Sequence, residues 1–315
     1  MKKIYILIIA IILIKTSTAQ QEIQFTQFMF NKTFYNPAHT GIAPSICATL
    51  FYRSQWVGFE GAPVTLSGVV ESPVKFLHGG LGLRLFRDEI GFFDDVSIGL
   101  SYSYHLQLND GVLGIGIRAD LINKSLGQAD WITPSGNLWV SDGSIASPAS
   151  TGLSPDIALG VHYEGSKFNA GISSVRLLEA ETDLQNGQGG IVKFRGRRTM
   201  IGHFGYNLPI NETNIVIVPG AFIKYDFTKF QMDINAMAYL SEKFWGGISY
   251  RFVDAIAIMA GAQVFPSLAL GYSYDLTTSS IRRVSSGSHE IFFRYCFKIT
   301  IPPREIGSYR NVRFL

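Results

Sequence analysis

Six histidines, His39, His78, His105, His162, His203 and His289, are the side chains best suited to bind a metal or move a proton. None stands with another His, Cys or Asp at the spacing of a metal-binding motif, so no metal site and no cofactor is expected from them. A strand-mounted hydrolase would need a serine, a histidine and an acid at one end of the fold. Ser103 and His105 share a face, but an alternating strand produces such pairs by parity alone, and catalysis is not expected. Gly187-Gln-Gly-Gly190 lacks the strand-to-helix setting and the terminal Lys-Ser/Thr of a phosphate loop. It reads as a flexible surface loop. Cys47 and Cys296 are the two cysteines; whether they can pair depends on where the fold puts them.

The elements that would carry these residues are unusual in composition. Charged residues make up 16% of the 315 and hydrophobic ones 47%, with 32 Gly, 23 Phe and 14 Tyr, whereas a soluble domain is about a quarter charged. The net charge of +3 is spread along the chain, which leaves no electrostatic footprint for a phosphate backbone, and nucleic acid is excluded as an expected partner. Lys2 and Lys3, the apolar run Ile4 to Ile14 and the small residues Ser17-Thr18-Ala19 read as an export signal over residues 1–19, cleaved after Ala19. The apolar runs around Asn214 to Ile223 and Ala255 to Phe265 stop at about ten residues, half of what a spanning helix needs and the length of a tilted membrane strand.

The periodicity is that of strands. From Val96 to Leu108 bulky apolar side chains take every second position, and Ser97, Gly99, Ser101, Ser103, His105 and Gln107 take the others. Leu81 to Leu85, Leu113 to Asp120 and Leu268 to Asp275 repeat the pattern, the lipid-outside, lumen-inside signature of an outer-membrane barrel. Turn signals divide the chain into about fourteen such segments. The connections alternate: short turns such as Glu164-Gly165-Ser166 and Ser241-Glu242-Lys243 on one side, and the longest stretches, Ile122 to Ser154 and Arg176 to Arg195, on the other. The expected fold is all-β, a closed antiparallel transmembrane β-barrel over residues 44–299 with short periplasmic turns and longer extracellular loops. Both chain ends, including a tail at 300–315, are expected in the periplasm. The last strand, His289 to Phe297, carries aromatics two apart near its end, and tyrosines 102, 104, 250, 272 and 274 suit interfacial girdles.

Parity assigns Arg84, Arg118, Asp120, Asp275, Glu290 and Arg294 to the lumen, interleaved with Gly82, Gly114, Gly116 and Gly271, so that the interior is small or wet. Such charges either brace the wall as ion pairs or line room for a plug or an inserted peptide. The same parity, taken from Arg53 and Arg294, turns Cys47 and Cys296 inward near the periplasmic ends of the first and last strands. Closure makes these strands neighbours and allows a seam disulfide in an oxidising compartment. Ahead of the wall, Phe25, Phe28 and Met29 fall on one side of a short helical turn that Asn36-Pro37 ends. A segment this aromatic, with Phe30 as well, is expected to fold residues 20–43 into or across the periplasmic mouth as a plug or partner dock, the alternative being an extended lead-in.

Gln24-Phe-Thr-Gln-Phe-Met-Phe-Asn31, followed by Phe34-Tyr-Asn-Pro-Ala38 and Gly41, resembles the opening motif of the PorP/SprF family of type IX secretion outer-membrane proteins. Tyr52-Arg-Ser-Gln-Trp-Val-Gly-Phe59 with Gly61-Ala-Pro63, Trp245-Gly-Gly-Ile-Ser-Tyr-Arg251 with Asp254-Ala255, and Tyr272 to Leu276 with Gly287 to Ile291 are similar to its later blocks. Lys32-Thr33 departs from the family, which often has Pro there. The resemblance implies a Bacteroidota-type outer membrane, contact with its lipid, and a non-enzymatic role in type IX secretion or gliding. Its implied partners are secretion components and a secreted adhesin or C-terminal sorting domain. It carries no catalytic residues to this chain. The rival expectations on the same barrel are a passive channel or hydrophobic-solute porter, and a structural anchor alone.

Overall fold

The computed structural model describes residues 22–108, 110–129, 132 and 138–297. The expected export signal and the tail at 300–315 lie outside these residues. Seventeen strands are present among them: β1 (Ile46–Ser54), β2 (Val64–Val74), β3 (Gly79–Ile90), β4 (Phe93–Leu108), β5 (Gly111–Leu126), β6 (Thr151–Gly165), β7 (Phe168–Val175), β8 (Glu181–Gln185), β9 (Ile191–Arg195), β10 (Thr199–Tyr206), β11 (Leu208–Pro209), β12 (Ile215–Tyr225), β13 (Phe230–Leu240), β14 (Phe244–Arg251), β15 (Ala255–Phe265), β16 (Leu268–Thr277) and β17 (Ser288–Phe297). Strands β8 and β9 pair only with each other, and β11 is a two-residue extension beside β12. The other fourteen form one antiparallel wall in which each strand pairs with its chain neighbour, β10 with β12 and β17 with β1, so the sheet closes on itself.

The alternation in the sequence becomes the two faces of this wall. On β4, Ile98 and Leu100 are 47% and 66% exposed while Ser97 and Ser101, which flank them, are buried. Leu50, Leu66, Ile117, Ile172, Ile248 and Ile258 extend the exposed apolar face around the barrel. Such a continuous apolar belt would aggregate in water and is satisfied by lipid. No helix among the described residues is long and apolar enough to cross a membrane.

The structure corrects three expectations. Strands β3, β5 and β6 are longer than the turn signals suggest, because polar residues near their long-loop ends stay in the ladder through pairs such as Thr65–Asp88 and Lys124–Asp95. The connection after Arg176 is not an irregular loop: β8 and β9 form a hairpin whose Leu184 packs with Leu126 and Ala146 in a small separate core. Its turn is Gly187 to Gly190, where the Asn186 side chain accepts from the backbone N–H groups of Gln188 and Gly190. Third, the interior is not simply small and wet. Phe51, Phe86, Phe222, Met237, Met259 and Phe292 point inward and form an apolar core with the N-terminal segment.

Candidate functional site

That segment is what fills the barrel. Residues 22–41 run through the lumen in three short turns, at Phe28–Phe30, Lys32–Tyr35 and Pro37–His39. Asn36 ends the second turn in an extended conformation and its side chain accepts from the Ala38 N–H, capping the third. Residues 20–43 are expected to fold into or across the periplasmic mouth as a plug or partner dock; the contacts of residues 22–41 extend from one end of the lumen to the other. Glu22 pairs with Arg176 and its carbonyl accepts from Lys224, at the long-loop ends of β7 and β12. Gly41 lies against Ser72 and Gly80 at the short-turn ends of β2 and β3. The first described residues therefore lie at the opposite end of the lumen from Ile46 and Phe297, because the segment finds partners along the length of the lumen. Gln20 and the tail at 300–315, the two ends expected in the periplasm, lie outside the described residues.

The aromatics do not share one side, as a single helical turn would require; they radiate. Phe25 meets Phe34, Tyr35 and Phe51, Phe28 stacks on Phe222, and Phe30 stacks on Phe292 beside Trp245. Met29 is half-buried, and Asn36 and Pro37 are fully enclosed. Phe25 is 0% and Tyr35 1% exposed, so the middle of the lumen is dry. Burial of each such ring stabilises the plug by about 2–3 kcal/mol.

The wall's small residues make room for its backbone. A Cβ on Gly114 or Gly116 would lie 2.1 Å from the Ala38 carbonyl oxygen or 2.3 Å from its nitrogen. Gly82 faces Thr40, and Gly271 lies beneath Phe292 and Gln27. The luminal ion pairs join wall strands to one another and also reach the plug.

Three groups of polar residues do the gripping. At the long-loop end, Arg53 pairs with Asp275 at 2.8 Å and Glu290 at 3.1 Å, and Arg251 with Asp233 at 3.0 Å and Asp275 at 3.1 Å. Thr26 sits among them: its hydroxyl donates to Asp275 and accepts from both arginines, while the Thr26 and Gln27 N–H groups each donate to Glu290 at 2.8 Å. Midway, Arg84 and Arg118 both bind Asp120, Arg118 donates to the Phe34 carbonyl, and Arg84 lies 4.8 Å from the Phe34 ring. Charges this deeply buried are stable only when paired in this way. Sequence reading missed Arg251 and Asp233, although a row of inward positions along β13 and β14 would have found them.

The third group lies at the short-turn end. Lys32 pairs with Glu164 at 2.9 Å, and the Thr33 hydroxyl donates to Glu71 at 2.8 Å. These are the two positions where proline is often expected, and here they fasten the plug. Arg294 is only half-buried, 3.9 Å from Glu71. The histidines divide: His39, His162 and His203 converge with Glu164, whereas His105 meets the Thr40 carbonyl and His289 meets Tyr272. Linear spacing could not reveal this cluster because its members come from the plug, β6 and β10. Ser103 donates to the Ala38 carbonyl at 2.7 Å, not to His105. Below them Cys47 and Cys296 are register partners across the β1–β17 seam and are joined in a disulfide.

Open space remains at both ends. A cleft of about 830 Å³ at the long-loop mouth is lined by Ile23, Trp56, Ile90, Phe230, Phe252 and Val253, among others. Val253 is 84% exposed at φ 68°, a conformation β-branched residues avoid. A second cavity of about 650 Å³ lies between Phe28, Lys32, His203 and Met237 towards the short-turn end.

Solved barrels share this wall. The toluene transporter TbuX of Ralstonia pickettii matches with TM-score 0.54 at 10% identity, over 85% of this chain and 93% of that one. The monoaromatic hydrocarbon channel CymD gives 0.50 at 12%, over 90% and 94%, and the Pseudomonas putida toluene transporter TodX 0.50 at 11%, over 85% and 93%. At these identities the likeness is one of fold. No curated protein matches the chain. The model of the type IX secretion system membrane proteins PorP/SprF matches residues 17–295, and with its opening motif forming the plug and its later blocks forming the wall, the chain belongs to that family.

Proposed function

We propose that this outer-membrane barrel receives or anchors secreted surface proteins or adhesins of the type IX system through their C-terminal sorting domain, at the long-loop mouth facing the cell exterior. In this reading residues 1–19 are removed on export, 20–43 are the plug, 44–299 the barrel and 300–315 a periplasmic tail. The observation that carries it is the division of the molecule: a lumen whose middle is filled by the plug and an outer mouth that offers an apolar cleft. Trp56, Phe252 and the strained, exposed Val253 are the kind of rigid apolar surface that protein partners bury. Family and fold neighbours are secretion and channel barrels, and the luminal charges are spent on the plug, which supports a non-enzymatic role.

Purification of the native protein in mild detergent tests the proposal. Co-purification of a secreted protein by way of its C-terminal domain, lost in Phe252→Asp with the barrel still folded, is the expected result. Recovery of the barrel alone, with secretion and attachment intact in cells lacking it, would overturn it. Cells that secrete normally but lose attachment would restrict the role to anchoring. The second reading, a passive channel or porter of hydrophobic solutes, is favoured by the fold shared with hydrocarbon transporters. It requires steady conductance or solute flux in planar bilayers and liposomes, where the packed lumen leads us to expect neither.

A further inference from the structure

Where the plug reaches the short-turn end, the hydrogen-bond accounting around His39 leaves one lone pair unused. The Thr33 hydroxyl has a single proton and gives it to the Glu71 carboxylate, so at 2.8 Å it accepts from His39 Nδ1–H. That fixes the tautomer and leaves Nε2 of His39 as a bare acceptor. It faces another acceptor, Glu164 Oε2, at 4.0 Å. His162 Nε2 approaches the same oxygen at 2.9 Å. Behind it His162 Nδ1 lies 2.9 Å from His203 Nε2, an outer partner that fits either tautomer of His162 and orients its ring.

We propose that His39, His162 and Glu164 form a binding site for a divalent ion of the zinc type, which clamps the plug to the β6 wall. The ligand atoms of the three lie within 4.8 Å of one another. A tetrahedral ion with bonds of about 2.0–2.1 Å holds its ligands about 3.3 Å apart, so side-chain rotations close the difference. Two imidazoles and a carboxylate are the donor set of open zinc sites, with a fourth position left for water. The 650 Å³ cavity borders the site on its Glu164 side, where its lining includes Glu164, Lys32 and His203. On binding, the single proton of His162 moves by way of solvent from Nε2 to Nδ1, from which it is donated to His203 Nε2, with His203 carrying its own proton on Nδ1. The Lys32 ammonium, 2.9 Å from Glu164, is the cation that neutralises the carboxylate without metal; the ion displaces it into the cavity. The site is independent of which partner the outer mouth receives.

Lys32 gives the proposal a test with opposite signs. Full-length protein carrying a non-histidine affinity tag is stripped with chelator in detergent and titrated with Zn²⁺ by calorimetry. Co²⁺ absorption serves as a second probe that reports tetrahedral nitrogen ligation. One ion per barrel is expected, with binding lost in the combined His39→Asn, His162→Asn variant and strengthened roughly tenfold in Lys32→Gln, where no ammonium competes. Zn²⁺ should also slow proteolysis of residues 22–41 in the wild type and not in the double histidine variant. Absence of stoichiometric uptake by the wild type would overturn the site. Unchanged uptake in a correctly folded double variant, or weakened uptake in Lys32→Gln, would do the same.

Discussion

The two ends of the lumen hold the same plug by opposite means. At the long-loop end the wall reaches in: Arg53 and Arg251, each almost fully buried, bring Asp233, Asp275 and Glu290 around Thr26. To this set the plug contributes only uncharged groups, the Thr26 and Gln27 N–H groups, the Thr26 hydroxyl and the Gln24 and Gln27 side-chain amides. At the short-turn end the plug reaches out: Lys32, Thr33 and His39 extend to wall residues, beside a cavity and with Glu164 about a third exposed. A dry ionic set cannot be opened without stranding charge, whereas a half-solvated one exchanges partners at low cost. The plug is thus fixed near the long-loop mouth and adjustable at the other.

The largest effect that would break this contrast is expected at Arg53. Arg53→Met strands Glu290 and half of Asp275, and a loss of about 3–5 kcal/mol should appear as a lower urea midpoint in detergent, with residues 22–41 becoming protease-sensitive. Phe25→Ala, which empties the meeting point of Phe34, Tyr35 and Phe51, should cost about 3–4 kcal/mol by the same measurement. Replacing both cysteines by serine removes a link between residues 249 apart in sequence, and an unfolding cost of about 2–5 kcal/mol is expected. Thr26→Val, leaving the arginines and Asp275 one partner short, should lose about 1–3 kcal/mol. Lys32→Gln sharpens the comparison from the other side: in chelator its effect should stay within about 1 kcal/mol. A loss there as large as that of Arg53→Met would show the two ends to be equally rigid.

Legibility in the sequence followed the same division. The wall could be read because period two survives in strands such as β3, β4, β5 and β16, and parity then turned Arg84, Arg118, Asp120, Asp275 and Glu290 inward. The path of the plug could not. Its aromatics point to Phe51, Phe222 and Phe292, on strands far apart along the chain, and local spacing does not encode direction around a cylinder. The histidine cluster was hidden for the same reason, since Glu164 and His162 share a face of β6 but His39 arrives only through the plug. The β8–β9 hairpin escaped because its Gly-rich turn reads as loop until strands are known to flank it.

The bond between Cys47 and Cys296 has one further outcome. It makes residues 47 to 296 a covalent circle, with the plug and the C-terminal end attached on either side of the same knot. A protease that nicks any one surface loop therefore linearises the circle without releasing a fragment. Under non-reducing conditions the cut molecule keeps its full mass, and only a second cut or a reductant separates the pieces.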